Sequence, residues 1–270
     1  MFDSHCHIHE PRFQGAEAAI ARARAAGVRG FLLAGVGPEL WPVEERLAAA
    51  HPDVVVSLGI HPQLVAELDD EECDGAVRRL AERLASARPP VVAVGEIGLD
   101  AHDGRKGTLD RQERIFRAQL ALARDGDLPV SLHVLRAHGR ALAILRRDGV
   151  PRAGGVVHSY SGGAELVRDY LAIGLDLSFA GPVANPAAHR IRAAALAVPR
   201  ERLLVETDAP DQTPLGRQPA PNEPAFLVAI VEALARLRGE GEEQIAEATD
   251  ANARRLFRIG SLREKADGNR

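Results

Sequence analysis

Residues 2–9 of the chain read Phe-Asp-Ser-His-Cys-His-Ile-His, and they open the series of short apolar runs with polar ends that decides the fold. In an extended strand, side chains at positions i and i+2 point to the same side, so His5 and His7 would present two imidazoles together while Cys6 faces away. Neutral imidazole is the commonest protein ligand for a borderline-soft divalent metal. The stretch therefore predicts two metal ligands at a strand end; a surface strand with chance histidines is the alternative.

Seven further apolar runs follow, separated by stretches rich in Ala, Leu, Arg and Glu that are typical of helices. The runs cover residues 28–36, 54–60, 91–97, 129–132, 155–157, 175–180 and 202–205. Helices are predicted over residues 17–26, 38–50, 70–87, 109–124, 137–147, 164–173, 186–197, 223–238 and 242–257. Continuous apolar runs are typical of parallel strands that are buried on both faces. Eight alternations predict an α/β protein with a TIM-like (β/α)8 barrel, and a doubly wound open sheet is the alternative.

The length of 270 residues fits one large domain, which we place at residues 1–259, followed by a flexible C-terminal tail at residues 260–270. The formal net charge is -4 and only 4% of the residues are aromatic. This composition is not that of a protein that holds nucleic acid by bulk electrostatics or by rows of stacking rings. If nucleic acid is the substrate, a local site must attract it.

Cys6 and Cys73 are the only cysteines, which gives no disulfide framework and fits a reducing cytoplasm. The N-terminus lacks a basic start followed by an apolar run, so no signal peptide is expected. No apolar run approaches the roughly 18 residues of a membrane span. We therefore expect a cytoplasmic protein without a membrane partner, and a monomer is favoured.

Residues that can bind a metal stand at or near the ends of six apolar runs. They are His5, His7, His61, Glu96, His133, His158 and Asp208. In a barrel, the carboxyl ends of the strands meet at one mouth, where such enzymes place their chemistry. Each histidine alone could be a hydrogen-bonded core residue, and Glu96 alone could belong to an ion pair in the barrel. The set at one face is what predicts a metal centre.

Four histidines and two carboxylates suit two divalent cations, and one carboxylate must bridge them to offset their repulsion. We assign the bridge to Glu96. Mixed nitrogen and oxygen ligands admit Zn, Mn, Fe or Co, whereas Mg is less well matched to imidazole. Such a centre would activate a water and polarise a substrate oxygen.

Eight short motifs follow one another across nearly the whole chain. They are DSHCH at residues 3–7, GIHP at 59–62, GEIGLD at 95–100, LH at 132–133, VHSYSG at 157–162, ETDAP at 206–210, NEP at 222–224 and NARRLF at 252–257. Together they resemble the TatD family of metal-dependent deoxyribonucleases, within the amidohydrolase-like hydrolases. The resemblance implies a TIM-like barrel and metal-dependent hydrolysis of DNA, typically as a 3′–5′ exonuclease on single strands. Some members are implicated in removing D-amino acids from tRNA.

By this resemblance, one metal would be held by His5, His7 and Asp208, and Glu96 would bridge to a second metal. His133 and His158 would complete the second site. The chain departs from the family pattern at the rim of the mouth, after Asp100, after His133 and after Pro210. The ligands are intact while the rim is altered, so the resemblance predicts the chemistry more firmly than the substrate.

Supporting roles are predicted for four further residues. We expect His61 to contact a phosphate or the leaving oxygen and to assist catalysis, together with Asp208 as proton acceptor. Arg136 could contact a phosphate, or it could be a solvated arginine at a helix start. Glu206 shares a side with Asp208 if the strand stays extended, which predicts a substrate contact. Asp3 could orient a ligand histidine or cap the strand start.

Three functions fit these residues. The first is hydrolysis of DNA phosphodiesters by a metal-activated water. The second is hydrolysis of an aminoacyl ester, as in a D-aminoacyl-tRNA deacylase, or of another amide or lactone, because the same water can attack a carbonyl group. Relatives of that kind often use a carbamylated lysine as the bridge, but the only lysines, Lys106 and Lys265, are not placed for it. The third is a metal-binding module without catalysis, against which an intact ligand set argues.

Overall fold

The computed structural model describes residues 1–86 and 90–260, and its centre is one sheet of eight parallel strands that neighbour one another in chain order. The strands are β1 (Phe2–Cys6), β2 (Gly30–Ala34), β3 (Val54–Leu58), β4 (Val91–Asp100), β5 (Val130–Leu135), β6 (Gly155–Val157), β7 (Leu175–Phe179) and β8 (Leu203–Val205). Apart from β4 and β5, they are only three to five residues long, so each strand contributes few side chains to the core. The continuous apolar runs in the sequence mark all eight.

The first and last strands approach each other and nearly close the sheet. The Asp208 N–H donates to the His5 carbonyl at 2.9 Å, and the His7 N–H donates to the Ala209 carbonyl at 2.7 Å. An open doubly wound sheet would hold its two edge strands apart. The predicted TIM-like barrel is therefore confirmed, and the open-sheet alternative is wrong.

Helices surround the strands and cover their outer faces. They are α1 (Ala16–Ala25), α2 (Trp41–Ala50), α3 (Pro62–Glu67), α4 (Asp70–Ala85), α5 (Leu109–Asp125), α6 (His138–Asp148), α7 (Ala164–Ala172), α8 (His189–Ala197), α9 (Leu227–Arg238) and α10 (Glu242–Leu256). The short helix α3 was not predicted from the sequence. It starts directly after His61, whose ring accepts a hydrogen bond from the Gln63 N–H and so caps the helix.

The amino-terminal end of the barrel is closed by apolar side chains. Phe257, just after α10, packs on Phe2 of β1 with ring centroids 6.3 Å apart. Leu32 and Leu204 belong to the same buried cluster. Because apolar side chains fill this end, the carboxyl ends of the strands are left to form the polar mouth.

Two sequence predictions fall partly outside the described residues. The predicted helix over residues 70–87 ends at Ala85, and residues 87–89 lie outside the description. All but the first residue of the predicted tail at 260–270 also lies outside it. Within residues 1–86 and 90–260, none of the helices is both long enough and apolar enough to cross a membrane.

Candidate metal centre

The carboxyl ends of the strands surround a cavity of about 120 Å³. Its lining consists of His7, Glu10, Arg12, Val36, His61, Gln63, Glu96, His133, His158, Asp208 and Asp211. Beneath this lining His5 is fully buried, with its Nε2 atom 3.1 Å from Nε2 of His7. The structure thus brings together all six predicted metal ligands and His61.

The Glu96 carboxylate lies between two pairs of imidazoles. Its Oε2 atom is 3.1 Å from Nε2 of His5 and 3.3 Å from Nε2 of His7. Its Oε1 atom is 2.7 Å from both Nδ1 of His133 and Nε2 of His158. One oxygen therefore faces each pair, which is the arrangement that a carboxylate needs to bridge two cations.

Each imidazole pair has the spacing of two ligands that share one ion. The facing nitrogens are 3.1 Å apart for His5 and His7, and 3.3 Å apart for His133 and His158. Two nitrogens bound at about 2.0–2.1 Å to a tetrahedral ion lie about 3.3 Å from each other. Two lone pairs at this distance repel unless a proton or a cation lies between them. The donor set therefore fits a divalent cation at each pair.

Asp208 adds a carboxylate to the first pair. Its Oδ1 atom is 3.9 Å from Nε2 of His5 and 3.6 Å from Nε2 of His7. The amide of Gln212 donates to the other oxygen, Oδ2, so that Oδ1 stays directed at the histidines. Asp208 has a φ of 55°, a left-handed conformation that Asp adopts more readily than most residues.

Glycines in the neighbouring strands and loops let the backbone of β4 bring Glu96 close to the first pair. A Cβ atom on Gly59 would lie 2.6 Å from the carbonyl carbon of Gly95, and one on Gly35 would lie 2.5 Å from the Ser57 carbonyl oxygen. The Glu96 N–H donates to the Gly35 carbonyl at 2.8 Å. A larger residue at either glycine would push the chains apart and move the Glu96 carboxylate.

Partners outside the cavity determine which ring nitrogens carry the protons. Nδ1 of His7 lies 3.0 Å from the Ala34 carbonyl oxygen, and Nδ1 of His158 lies 3.4 Å from Oε1 of Glu206. A carbonyl oxygen can only accept, so we infer that His7 carries its proton on Nδ1; His158, whose Nε2 atom lies 2.7 Å from Oε1 of Glu96, would carry its proton on Nδ1 when a cation binds Nε2. The lone pair of each Nε2 atom then points inward, as a metal ligand requires.

The contacts of His61 set its tautomer, whereas the tautomer of His133 depends on a cation. Nδ1 of His61 accepts the Gln63 N–H at 3.1 Å. A neutral ring of this kind carries its proton on Nε2, the atom 3.0 Å from Oε1 of Glu96, so His61 is a hydrogen-bond donor in the cavity. Nδ1 of His133 lies 2.7 Å from Oε1 of Glu96, and its Nε2 lies 3.7 Å from Oδ2 of Asp100. A cation bound at Nδ1 of His133 would place the ring proton on Nε2, toward Asp100.

The charged groups of the centre shift one another's pKa values. Burial acts to raise the pKa of Glu96, but the facing imidazoles, His158 most of all, outweigh it and hold that pKa well below its usual range. Burial lowers the pKa of His7, yet Glu96 and Asp208 more than compensate and raise it to about 9. Burial raises the pKa of Asp208 to about 6. Because ligands must lose their protons, a cation that binds here would release them.

Two predicted supporting residues stand elsewhere than expected. Asp3 faces no ligand ring: its carboxylate accepts the N–H of Thr207 at 2.9 Å and the hydroxyl of Thr207 at 2.5 Å, which links β1 to the segment after β8. The pairing of β1 shifts register between Asp3 and Cys6, and this breaks the two-residue alternation. Glu206, predicted to contact substrate, is fully buried behind His158 and is not among the residues that line the cavity.

The predicted substrate residue Arg136 and two histidines, His102 and His138, lie apart from the cavity. Arg136 is 57% exposed and its guanidinium is 3.4 Å from Asp103, which matches the simpler alternative of a solvated arginine at a helix start. His138 is buried behind the rim and its Nδ1 atom lies 2.8 Å from the Tyr170 hydroxyl. His102 is exposed. None of these three is among the cavity-lining residues described above.

Sequence reasoning missed a group of polar residues at the mouth. They are Glu10, Arg12, Gln63, Asp211 and Gln212. Each lies within five residues of a predicted ligand or of His61, in the segment that follows a strand, and Gln63 is in the first turn of α3. Listing the polar residues of those loops would have found them, although their mutual contacts depend on the paths of the loops.

A barrel with a buried histidine and carboxylate cluster at its mouth defines the class of metal-dependent barrel hydrolases. The sequence model of the family described as TatD related DNase matches residues 2–258. The chain therefore belongs to the TatD related DNase family. The family predicted from the motifs is thus confirmed, and with it the class of metal-dependent hydrolases.

Three relatives illustrate this membership. A protein of Pantoea vagans named 3′-5′ ssDNA/RNA exonuclease TatD is 38% identical over 96% of this chain and 100% of its own length. A Bacillus subtilis protein named as the uncharacterized metal-dependent hydrolase YabD is 32% identical over 96% of this chain and 99% of its own length. The crystal structure of the TatD homologue YjjV from Escherichia coli superposes with a TM-score of 0.89 at 33% identity, covering 96% and 98% of the two chains.

Proposed function

We propose that the chain is a phosphodiesterase that removes nucleotides from the 3′ end of single-stranded DNA with the help of two divalent cations. The observation that carries the proposal is the Glu96 carboxylate, with one oxygen toward each imidazole pair. The exonuclease name of the Pantoea vagans relative supports the choice of substrate. The cations would be divalent ions drawn from Zn, Mn, Mg, Fe and Co.

The donor set suggests how the cations would be held. His5, His7 and Asp208 would bind one cation, His133 and His158 the other, and Glu96 would bridge them. The bound cations would supply Lewis acidity at the phosphoryl oxygen and an activated water. This assignment agrees with the tautomer inferred for His7, whose Nε2 lone pair turns inward.

Two residues of the chain would assist catalysis beside the cations. The Asp208 carboxylate lines the cavity and would take the proton of the attacking water. His61 carries its proton on Nε2, as its contact with the Gln63 N–H requires, and would donate a hydrogen bond from Nε2 to a phosphate oxygen or to the leaving oxygen. The roles predicted for both residues from the sequence are kept in this proposal.

A second candidate is hydrolysis of an aminoacyl ester, such as that of a D-aminoacyl-tRNA. Two carboxylates of the rim, Glu10 and Asp211, favour it because they could hold the ammonium group of an aminoacyl substrate. A bridge formed by a carbamylated lysine has no support, since Lys106 is exposed and pairs with Asp103, and Lys265 lies outside the described residues. The predicted monomer and cytoplasmic location stay predictions.

Purified protein should be assayed with Mg²⁺, Mn²⁺ or Zn²⁺ on one oligonucleotide labelled in turn at either end. We expect the 5′-labelled strand to shorten stepwise and the 3′ label to be released first as a mononucleotide, with both reactions stopped by a chelator. An RNA of the same sequence and a D-aminoacyl-tRNA provide parallel substrates. Deacylation without any cleavage of either oligonucleotide would overturn the phosphodiesterase proposal in favour of the second candidate.

A further inference from the structure

We propose that Arg12 binds a phosphate of the nucleic acid other than the one being cleaved, and that it makes the rim selective for polyanionic substrates. The inference rests on the proposed phosphodiesterase function and adds to it a binding residue outside the metal centre. Arg12 would act on substrate binding and not on the chemical step.

The loop between β1 and α1 holds Arg12 beside the centre. The Glu10 N–H donates to the His7 carbonyl at 3.0 Å, and the Phe13 N–H donates to the Glu10 carbonyl at 2.9 Å. These bonds fold the loop into a tight turn directly after a candidate ligand. Among the residues that line the cavity in the described part of the chain, Arg12 is the only arginine or lysine.

The guanidinium of Arg12 already holds an anion in the manner in which it would hold a phosphate. Its Nη1 and Nη2 atoms donate to the two carboxylate oxygens of Asp211 at 2.9 and 2.6 Å, and its Nε atom donates to Glu10. Two parallel hydrogen bonds from a planar fork suit a phosphate as well as a carboxylate. Asp211 therefore occupies the place that a phosphate oxygen pair would take.

The ion pair between Arg12 and Asp211 is exposed to solvent, which would allow a phosphate to replace Asp211. The side chain of Arg12 is 49% exposed and that of Asp211 is 54% exposed. An ion pair with this much solvent contributes little to stability, so an incoming phosphate could replace Asp211 at small cost. Glu10 is largely buried and would keep holding Nε, which leaves the two terminal nitrogens directed at the substrate.

The negative charge around the cavity means that a polyanionic substrate would need a cationic side chain in the rim in order to bind. The chain carries a formal net charge of -4, and Glu10 and Asp211 place two carboxylates beside the cavity. A polyanion approaching these carboxylates would be repelled without a cationic side chain at the same place. The other arginine predicted for substrate, Arg136, is solvated beside Asp103 and outside the cavity lining.

The test compares KM and kcat of the metal-loaded wild type, Arg12→Ala and Arg79→Ala. The substrates are a single-stranded oligonucleotide and a dinucleoside monophosphate, which has only the scissile phosphate. For Arg12→Ala we expect KM for the oligonucleotide to rise about tenfold, equal to about 1.4 kcal/mol. We expect kcat, and both constants for the dinucleoside monophosphate, to stay within about twofold. Arg79 is the matched control because it is 54% exposed and paired with Glu39 on the outside of the barrel.

Salt dependence gives a readout that a structural role would not change. Each phosphate contact on a single strand contributes about 0.7 to the slope of the logarithm of affinity against the logarithm of salt concentration. Arg12→Ala should lower the slope for the oligonucleotide by about that amount. If the wild type cleaves the oligonucleotide but Arg12→Ala has the wild-type KM and the wild-type salt slope, the proposed role of Arg12 is overturned. The proposed phosphodiesterase function would still stand.

A second pair of variants separates direct contact from simple neutralisation of Asp211. Asp211→Asn frees the guanidinium, so we expect a KM below that of the wild type. If Arg12 contacts phosphate, adding Arg12→Ala to Asp211→Asn will raise KM again by about tenfold. If the double variant keeps the KM of Asp211→Asn, Arg12 only offsets its neighbour and the proposal fails. If the wild type cleaves no oligonucleotide at all, the proposed function has failed and this inference with it.

Discussion

The metal centre and the rim above it share one cavity but differ in what holds them. Glu96 and His5 in the centre are buried and are carried by strands of the barrel. Arg12 and Asp211 in the rim are half exposed, belong to loops and hold each other by an ion pair. This difference indicates that the strands of the barrel position the groups that would bind cations. The exposed loops can change in sequence without moving those groups, and so can change which substrate binds.

Removing the charge at the middle of the centre should have the largest effect. In Glu96→Gln we expect the rate of oligonucleotide cleavage to fall by at least about a thousandfold, because one oxygen would no longer be an anionic ligand. Metal analysis of the dialysed variant should show fewer bound cations than in the wild type.

Glu44→Gln is the matched control for this variant. Glu44 is also fully buried, but it lies on α2, and burial raises its pKa well above the usual range, so that glutamine resembles its protonated form. We expect wild-type activity and metal content in this control. Full nuclease activity in Glu96→Gln would contradict the proposed centre.

A residue behind the centre should have an intermediate effect. Glu206→Gln weakens the acceptor that faces Nδ1 of His158, so the ring would no longer be held firmly in the ligand tautomer. Changes of this kind typically cost about 10- to 100-fold in metal affinity or activity. Titration with Zn²⁺ in the presence of a competing chelator would measure the loss. A variant with unchanged affinity would mean that Glu206 does not set the tautomer.

A buried histidine outside the centre should affect stability and not catalysis. Burial lowers the pKa of His138 from 6.5 to about 4. The unfolded state therefore binds more protons between about pH 6.5 and pH 4, and stability falls as the pH decreases through this window. From pH 7.5 to pH 5 the wild type should lose about 2 kcal/mol from this group. In His138→Gln that part of the loss should disappear.

Urea unfolding at the two pH values would measure this difference. His102→Gln removes an exposed histidine from the loop after β4 and should keep the wild-type loss. An identical pH dependence in His138→Gln and in the wild type would show that His138 is not the group responsible.

The smallest effect is expected for the rim arginine that stands away from the cavity. Arg136→Ala removes only a solvated side chain that contacts Asp103 at 3.4 Å. Its KM for the oligonucleotide should stay within about twofold of the wild-type value, because exposed ion pairs contribute little. If Arg136→Ala raised the KM as much as we expect for Arg12→Ala, the proposal that only Arg12 of the two arginines binds substrate would be contradicted.

Most of the centre could be predicted from the sequence because it follows from strand ends. Apolar runs mark parallel strands, and a barrel must gather their carboxyl ends. His133 and His158 are separated in the chain by a helix, yet their positions near the ends of two consecutive predicted strands were enough to predict that both reach the same mouth.

The remaining features of the site lie beyond the strand ends, where side chains no longer alternate between the two sides of a strand. The predicted substrate contact of Glu206 assumed an extended strand up to Asp208, but β8 ends at Val205 and Asp208 has a φ of 55°. The pairing of Arg12 with Asp211 joins loops 199 residues apart, and no local pattern specifies the path of either loop. The tautomer of His61 likewise depends on α3, whose six residues are too few to give a helical pattern.

Anomalous diffraction from crystals loaded with Zn²⁺ or Mn²⁺ would test the bridged centre most directly. We predict two strong peaks, one on each side of the Glu96 carboxylate, the first beside His5 and His7 and the second beside His133 and His158. A single peak, or peaks that Glu96 does not touch, would contradict the two-cation centre.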